Sequence, residues 1–321
     1  MSKKVVVSLG GNALEDVREK ESFYQTLIKL EFCVCKIVDL IENNYEVIIS
    51  HGNGPQIGRI LMDNEMCTET PLIPFDVCVG MSQGMIGYYI EQAIRNELYK
   101  RRIKRGVVVI LTQVLVDQED KCFKNPSKPI GPLYDKKRAG ELEKSQGYIL
   151  KEDNRKRGYY RRVVASPKPI KIVEIEEIKA LINQGFIVIA CGGGGIPVIM
   201  DEKGVMRGIS GVIDKDFSSS RLGQDIDADN LLIVTAVEKV ALNFGRIDEI
   251  LIDKISSFEL EKYIGEGHFE SGSMLPKVEA SIEFVRSGGN SSREGCKRKA
   301  IITSLNNIIE GINGKGGTII I

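Results

Sequence analysis

The sequence predicts an α/β sandwich. Short, nearly continuous apolar runs alternate with longer helical patterns, and three of the runs end directly in glycine-rich turns. Such runs suit strands buried on both faces of a parallel sheet, because a sheet with one wet face would alternate apolar and polar residues. The order strand, helix, strand, helix implies right-handed crossovers that lay helices on the sheet. With 321 residues, 42% of them hydrophobic, the chain has ample material for such a core.

The first strand is expected at Val5 to Leu9, ending in Gly10-Gly11-Asn12-Ala13. A helix follows from Leu27 to Ile41, where Leu27, Leu30, Val34, Ile37, Val38 and Ile41 share one face. The second strand, Val47 to Ser50, ends in His51-Gly52-Asn53-Gly54. Gln83 to Leu98 reads as a helix and Val107 to Thr112 as a strand. A helix at Glu174 to Asn183 leads to a strand at Ile187 to Ala190, which ends in Gly192-Gly193-Gly194-Gly195. A strand at Leu231 to Thr235 and a helix at Leu275 to Val285 complete the pattern. All of 1–321 is expected to form one domain. Within it, Asp117 to Pro169 is rich in Lys, Pro and Gly and weak in apolar periodicity, which suggests a lid or small protruding subdomain. Ser287 to Lys299 is polar and glycine-rich and is expected to be an exposed loop.

Composition narrows the function. Lys plus Arg is 44 and Asp plus Glu is 44, so the basic excess of a nucleic-acid-binding protein is missing. The basic stretches Lys100 to Arg105 and Lys151 to Arg162 read first as solvated faces, the second also as part of a closing lid. The seven cysteines are irregularly spaced, and Cys33 and Cys35 point to different faces of their helix. With two histidines besides, His51 and His268, a zinc site is not expected. Free thiols, no signal-peptide core and no membrane-length apolar stretch suggest a cytoplasmic protein.

The three glycine turns follow strands whose ends would lie on one edge of a parallel sheet, where ligands bind. Glycine allows close backbone approach, and amides at a helix N-terminus donate to anionic oxygens. The pattern therefore points to phosphate binding at the three turns. Set beside the lysines and the resemblance given below, the first two read as the substrate and transferred-phosphate side and the third chiefly as close backbone approach at the centre of the site. Neither a P-loop nor a dinucleotide fingerprint is present. Transfer of a phosphoryl group needs positive charge around its oxygens. Three lysines sit in unusual contexts: Lys215 between Asp214 and Asp216, Lys277 at a helix start after Met274-Leu275-Pro276, and Lys128 in the proline-rich loop Asn125 to Pro132.

Together these motifs resemble carbamate kinase, a branch of the amino-acid kinase superfamily. The residues that carry the resemblance are Leu9 to Ala13, Ser50 to Gln56, Lys124 to Pro132, Ser166 to Pro169, Cys191 to Val198, Val212 to Asp216 and Gly272 to Lys277. The resemblance implies an αβα sandwich on a mostly parallel sheet of about eight strands, a homodimer, and reversible transfer between carbamoyl phosphate with ADP and carbamate with ATP. It also implies Mg2+, held mainly through phosphates and water, near Asp214 or Asp216 and without direct protein ligation. ATP formation in arginine or other carbamoyl-phosphate catabolism is the direction it suggests. Gly10, Gly11, Asn12, Gly52, Asn53 and Gly54 would hold the small substrate and the transferred phosphate. Lys128, Lys215 and Lys277, with Gly11 and Asn12, would be catalytic. Lys215, Asp216, Thr235, Val237, Phe244, Met274, Pro276 and Lys277 would lie on the nucleotide side. Ala165 stands where the family often has proline, and Phe244 where tyrosine is common. A kinase for another small carboxylate, or a silent nucleotide-binding regulator, remains an alternative. The first should lack the Lys124 to Pro132 motif, and the second should have lost lysines.

Overall fold

The computed structural model describes residues 2–10, 23–67, 69–153, 156–270, 272–290 and 298–321. At its centre eight strands lie side by side in the order Lys254–Ile255, Thr318–Ile320, Lys299–Ser304, Asn230–Thr235, Lys3–Leu9, Tyr45–His51, Ile187–Ile189 and Val107–Val109. Neighbours are parallel except Lys299–Ser304 with Thr318–Ile320. Leu9 is in register with both Val234 and His51, so three central strands finish at one edge.

Side chains alternate across this sheet. Val5, Val7 and Leu9 pack with Ile49, Ile189 and Val234 under the helices Phe23–Glu42 and Phe75–Lys100. Val6 and Ile48 point the other way, with Val188, Ile233 and Ile302, and meet the helices Ile175–Asn183, Lys215–Asp225 and Met274–Arg286. The fold is thus a three-layer αβα sandwich. Burial on both faces is why its strands read as continuous apolar runs.

The strand expected at Val107 to Thr112 is shorter, and a second strand starts just beyond it. Val107–Val109 belongs to the central sheet, whereas Gln113–Leu115 joins a four-stranded sheet with Lys171–Ile172, Ile196–Met200 and Met206–Gly208. Gln83 holds the break: its side chain accepts from Thr112 N at 2.9 Å and donates to Thr112 O at 3.0 Å. The backbone groups freed from one sheet therefore find a partner before the next begins.

The segment 117–169 leaves and returns through Gln113–Leu115 and Lys171–Ile172, which pair antiparallel. Inside it a three-stranded antiparallel sheet, Lys128–Asp135, Tyr159–Val164 and Leu150–Glu152, carries the helix Lys136–Gln146. Asp135 caps that helix from its side chain, and Gly147 ends it in the left-handed conformation. The small core, Ala139, Leu142 and Leu150 beside three tyrosines, explains the weak apolar periodicity.

Ser287 to Lys299 departs from the expected exposed loop at both ends. A 3-10 turn, Ser287–Asn290, prolongs the preceding helix. Arg298 is buried over the Phe284 ring, 5.4 Å from its centroid, and Lys299 opens a strand. Residues 291–297 lie outside the described residues. No helix among the described residues is long and apolar enough to cross a membrane.

Candidate active site

The first two glycine turns sit where Lys3–Leu9 and Tyr45–His51 end. Gly10 N donates to Val234 O at 3.1 Å, and Gly52 N to Leu9 O at 2.9 Å, so each turn starts by bonding to the neighbouring strand. Gly11 and Asn12 lie outside the described residues. Asn53 precedes the helix Gly54–Met66 without capping it, because its Nδ2 donates to Ser82 Oγ at 2.8 Å. Gly54 is exposed, and a Cβ there would meet nothing within 4 Å. An uncapped helix N-terminus beside open space suits an anion.

The third turn has a different role. Gly192 to Gly195 are all buried, and the room that side chains would need is filled by protein. A Cβ on Gly192 would lie 2.4 Å from His51 Nε2, and one on Gly193 would lie 2.2 Å from Asn53 Nδ2. On Gly194, at φ +90, it would lie 2.1 Å from Ile213 O. These glycines let the second turn and the chain before Lys215 pack against one backbone segment. Open space is thus found at Gly54 of the second turn, whereas the third turn is packed against His51, Asn53 and the chain before Lys215.

Lys215 opens the helix Lys215–Asp225, and Lys277 lies in the first turn of Met274–Arg286. Both reach Asp216: Lys277 Nζ donates to Oδ2 at 3.0 Å and Lys215 Nζ to Oδ1. Lys215 also donates to Ser8 Oγ at 2.9 Å, and Ser8 donates to Asp216 Oδ1 at 3.0 Å. Ser219 Oγ lies 3.0 Å from Ser8 Oγ and is bonded to Ser50 Oγ. Asp214 caps the Lys215 helix by accepting from Asp216 N at 2.9 Å, and accepts Lys128 Nζ from the 117–169 segment at 2.5 Å.

Three ammonium groups therefore face two carboxylates beside two helix N-termini, an arrangement with surplus positive charge. Burial opposes the Asp216 carboxylate, but the two lysines outweigh it and hold its pKa well below the usual range. Burial pushes the Lys215 pKa down beyond what Asp216 restores. Burial also works against the Lys277 ammonium, yet Asp216 and Asp214 more than offset it, and its pKa rises. Both oxygens of each aspartate are engaged within this cluster. Among the described residues no group of three or more His, Cys, Asp or Glu is placed to hold a metal ion.

The sequence profile of the amino acid kinase family matches residues 3–293. The carbamate kinase of Clostridium perfringens is 50% identical over 326 residues, covering 99% of each chain. The carbamate kinase-like protein YqeA of Escherichia coli is 51% identical, covering 100% of this chain and 99% of its own. The carbamate kinase of Giardia lamblia, solved bound to AMP-PNP, superposes with a TM-score of 0.89 at 38% identity, over 100% of this chain and 98% of its own. The chain belongs to the amino acid kinase family, on its carbamate kinase branch.

The kinase is a phosphotransferase, and its nucleotide-side candidates fall in three places. Thr235 ends the strand beside Lys3–Leu9, with half-buried Val237 just beyond. The helix Met274–Arg286, with half-buried Met274 and Pro276 in its first turn, packs against that strand. Phe244 stands apart, 70% exposed, in the hairpin between Val240–Leu242 and Ile250–Ile252.

The hydroxyl network of Ser8, Ser50 and Ser219 was missed from sequence. Its signal was available: Ser8 and Ser50 interrupt otherwise apolar runs, and Ser218-Ser219-Ser220 follows the Lys215-Asp216 pair. A polar residue in a strand buried on both faces must find a polar partner.

Proposed function

We propose that this chain is a carbamate kinase that moves a phosphoryl group reversibly between carbamoyl phosphate with ADP and carbamate with ATP. The observation that carries this reading is the meeting of Lys215 and Lys277 on buried Asp216, at the sheet edge where two glycine turns open. Lys128 approaches the same cluster through Asp214. The full-length similarity to carbamate kinases supplies the choice of small substrate.

In this mechanism the first two turns, through Gly10, Gly11, Asn12, Gly52, Asn53 and Gly54, hold the carbamoyl group and the phosphate being transferred. Lys215 and Lys277 face it from the nucleotide side, with Thr235, Val237, Phe244, Met274 and Pro276 along the nucleotide. Lys128 turns from Asp214 towards the transferring oxygens. The attacking oxygen is already anionic in either direction, so no general base is required. Positioning and charge neutralisation carry the acceleration. Asp214 and Asp216, already bonded to lysines, would hold a nucleotide-borne Mg2+ through water rather than directly, and the ion would supply neutralisation of phosphate charge. A cytoplasmic homodimer forming ATP in arginine or other carbamoyl-phosphate catabolism completes the proposal.

The test is to supply carbamoyl phosphate, ADP and Mg2+ and follow ATP, with acetyl phosphate as the control donor. ATP formation that prefers carbamoyl phosphate is the expected result. Tight ATP binding without transfer, or equal use of acetyl phosphate, would overturn the reading.

A further inference from the structure

One face of the small sheet in the 117–169 segment packs on the body of the protein, and near the end of the segment Val212 N donates to Ala165 O at 2.9 Å and Lys168 pairs with Glu283. Lys128 is opposite Val164 and Ile130 is opposite Arg162. Directly opposed residues, and residues two apart, share a face, so these four side chains lie on the same side. The middle of this face is apolar: Ile130 and Val164 pack with Ile57 and Leu61 of the helix Gly54–Met66. Backbones meet closely there, since a Cβ on Gly58 would lie 2.8 Å from Gly131 Cα. The two ends of the face are cationic. At the inner end Lys128 pairs with Asp214.

At the outer end Arg162 donates to Glu65 Oε1 at 3.0 Å, and the Tyr148 hydroxyl donates to the same oxygen. The guanidinium lies 3.7 Å from the centroid of the Tyr148 ring. Arg162 and Glu65 side chains are 21% and 19% exposed, so the pair is partly shielded from water and stronger than a surface ion pair. Burial and the neighbouring Glu65 carboxylate push the Tyr148 pKa up, which keeps its hydroxyl a donor. Glu65 is in the last turn of the helix whose first turn holds Gly54, so one rigid element joins this contact to the second glycine turn.

We propose that Glu65, Arg162 and Tyr148 form a latch that positions Lys128. The inference rests on Lys128 serving the transferring phosphoryl group. When Lys128 leaves Asp214 for that group, the inner end of the face loses its ion pair to the body. The outer pair then keeps the small sheet seated, with Lys128 at a fixed height over the site. Glu65, Arg162 and Tyr148 are positioning residues, since their contacts reach the site through this sheet and the helix Gly54–Met66, and the Arg162 guanidinium also lies 5.6 Å from the centroid of the Phe75 ring.

The experiment combines a double-mutant cycle with hydrogen exchange. Glu65→Ala should lower kcat about tenfold with little change in the KM for ADP, because a small displacement of a catalytic group costs rate more than binding. Glu65→Gln, whose carbonyl still accepts from Arg162 and Tyr148, should recover most of the loss. In a Lys128→Ala background, Glu65→Ala should cost less than about twofold further, because the two residues act as one unit. Amide exchange in 128–135 and 159–164 should quicken in Glu65→Ala while the central strands keep their protection. Full additivity with Lys128→Ala, an unchanged kcat, or unchanged exchange in those strands would overturn the latch. Failure of the kinase reading would show instead as a wild-type protein that forms no ATP, and the exchange comparison would then decide the latch alone.

Discussion

Lys277 and Asp216 meet at 3.0 Å although 61 residues of chain separate them. The contact joins the first turns of two helices, and Lys215 is bonded to the other oxygen of the same carboxylate. Each lysine at a helix N-terminus opposes the dipole there, and each is held by the shared aspartate. Removing the aspartate leaves two buried ammonium groups facing each other. Asp216→Asn should therefore destabilise the protein by about 3 kcal/mol or more, measured by chemical denaturation at pH 7.

The same pair sets a pH limit. Burial lowers the Lys215 pKa, and Asp216 is the largest influence restoring it. Turnover that needs the Lys215 ammonium should fall, as pH rises, earlier than an ordinary lysine would allow. Asp216→Asn removes the restoring charge and should move that alkaline limb to lower pH. A kcat profile between pH 7 and 10 with the same limb in both proteins would refute the assignment.

Lys215→Ala should lower turnover roughly 10²-fold or more, because it deletes preorganised charge aimed at the transferring oxygens. Lys277→Ala should act in the same direction. Asp216 remains to be neutralised in either variant, so each also needs its stability measured. Near-normal steady-state turnover in Lys215→Ala would sink the role given to Lys215.

The sandwich was legible because Val5 to Val7 and Leu231 to Val234 are buried on both faces, and full burial leaves an unbroken apolar run. Strands such as Lys254–Ile255 were not legible, since two residues carry no periodicity. The lysines could be picked out by their odd contexts. Their meeting on Asp216 could not, because only the crossover topology brings residue 277 to residue 216. The glycine runs signalled small residues at strand ends but not what fills the space around them. At Gly54 the space is open, whereas at Gly194 it holds the Ile213 carbonyl.

That contrast is itself testable. Gly194→Ala places a methyl 2.1 Å from a backbone oxygen at a positive φ. The neighbour is backbone and cannot swing away, so the variant should lose more than about 2 kcal/mol of stability or fail to fold. Gly54→Ala meets nothing within 4 Å and should keep its stability. If the small substrate occupies that space, Gly54→Ala should raise its KM. A stable Gly194→Ala protein would show that the third turn is not a packing element.

His51 predicts how stability depends on pH. It is buried between the second and third turns, and its ring Nδ1 lies 3.0 Å from Gly52 O. Burial, with a smaller push from the Lys215 charge, lowers its pKa from 6.5 to about 4. The folded protein therefore holds this ring neutral while the unfolded chain takes up a proton below pH 6.5. In that window the unfolded state binds more protons, so stability rises with pH and is lost as pH falls from 6.5 towards 4. Between pH 7 and pH 5 the His51 contribution amounts to about 2 kcal/mol. The depressed Asp216 pKa acts mainly below this window, as its protection fades in stronger acid. Denaturation of wild type and His51→Asn at pH 7 and pH 5 isolates the term, because contributions common to both cancel on subtraction. Wild type should lose about 2 kcal/mol more than the variant on acidification. Equal losses would mean that His51 is protonated in the folded protein and that the packing of Gly192 against it does not hold the ring neutral.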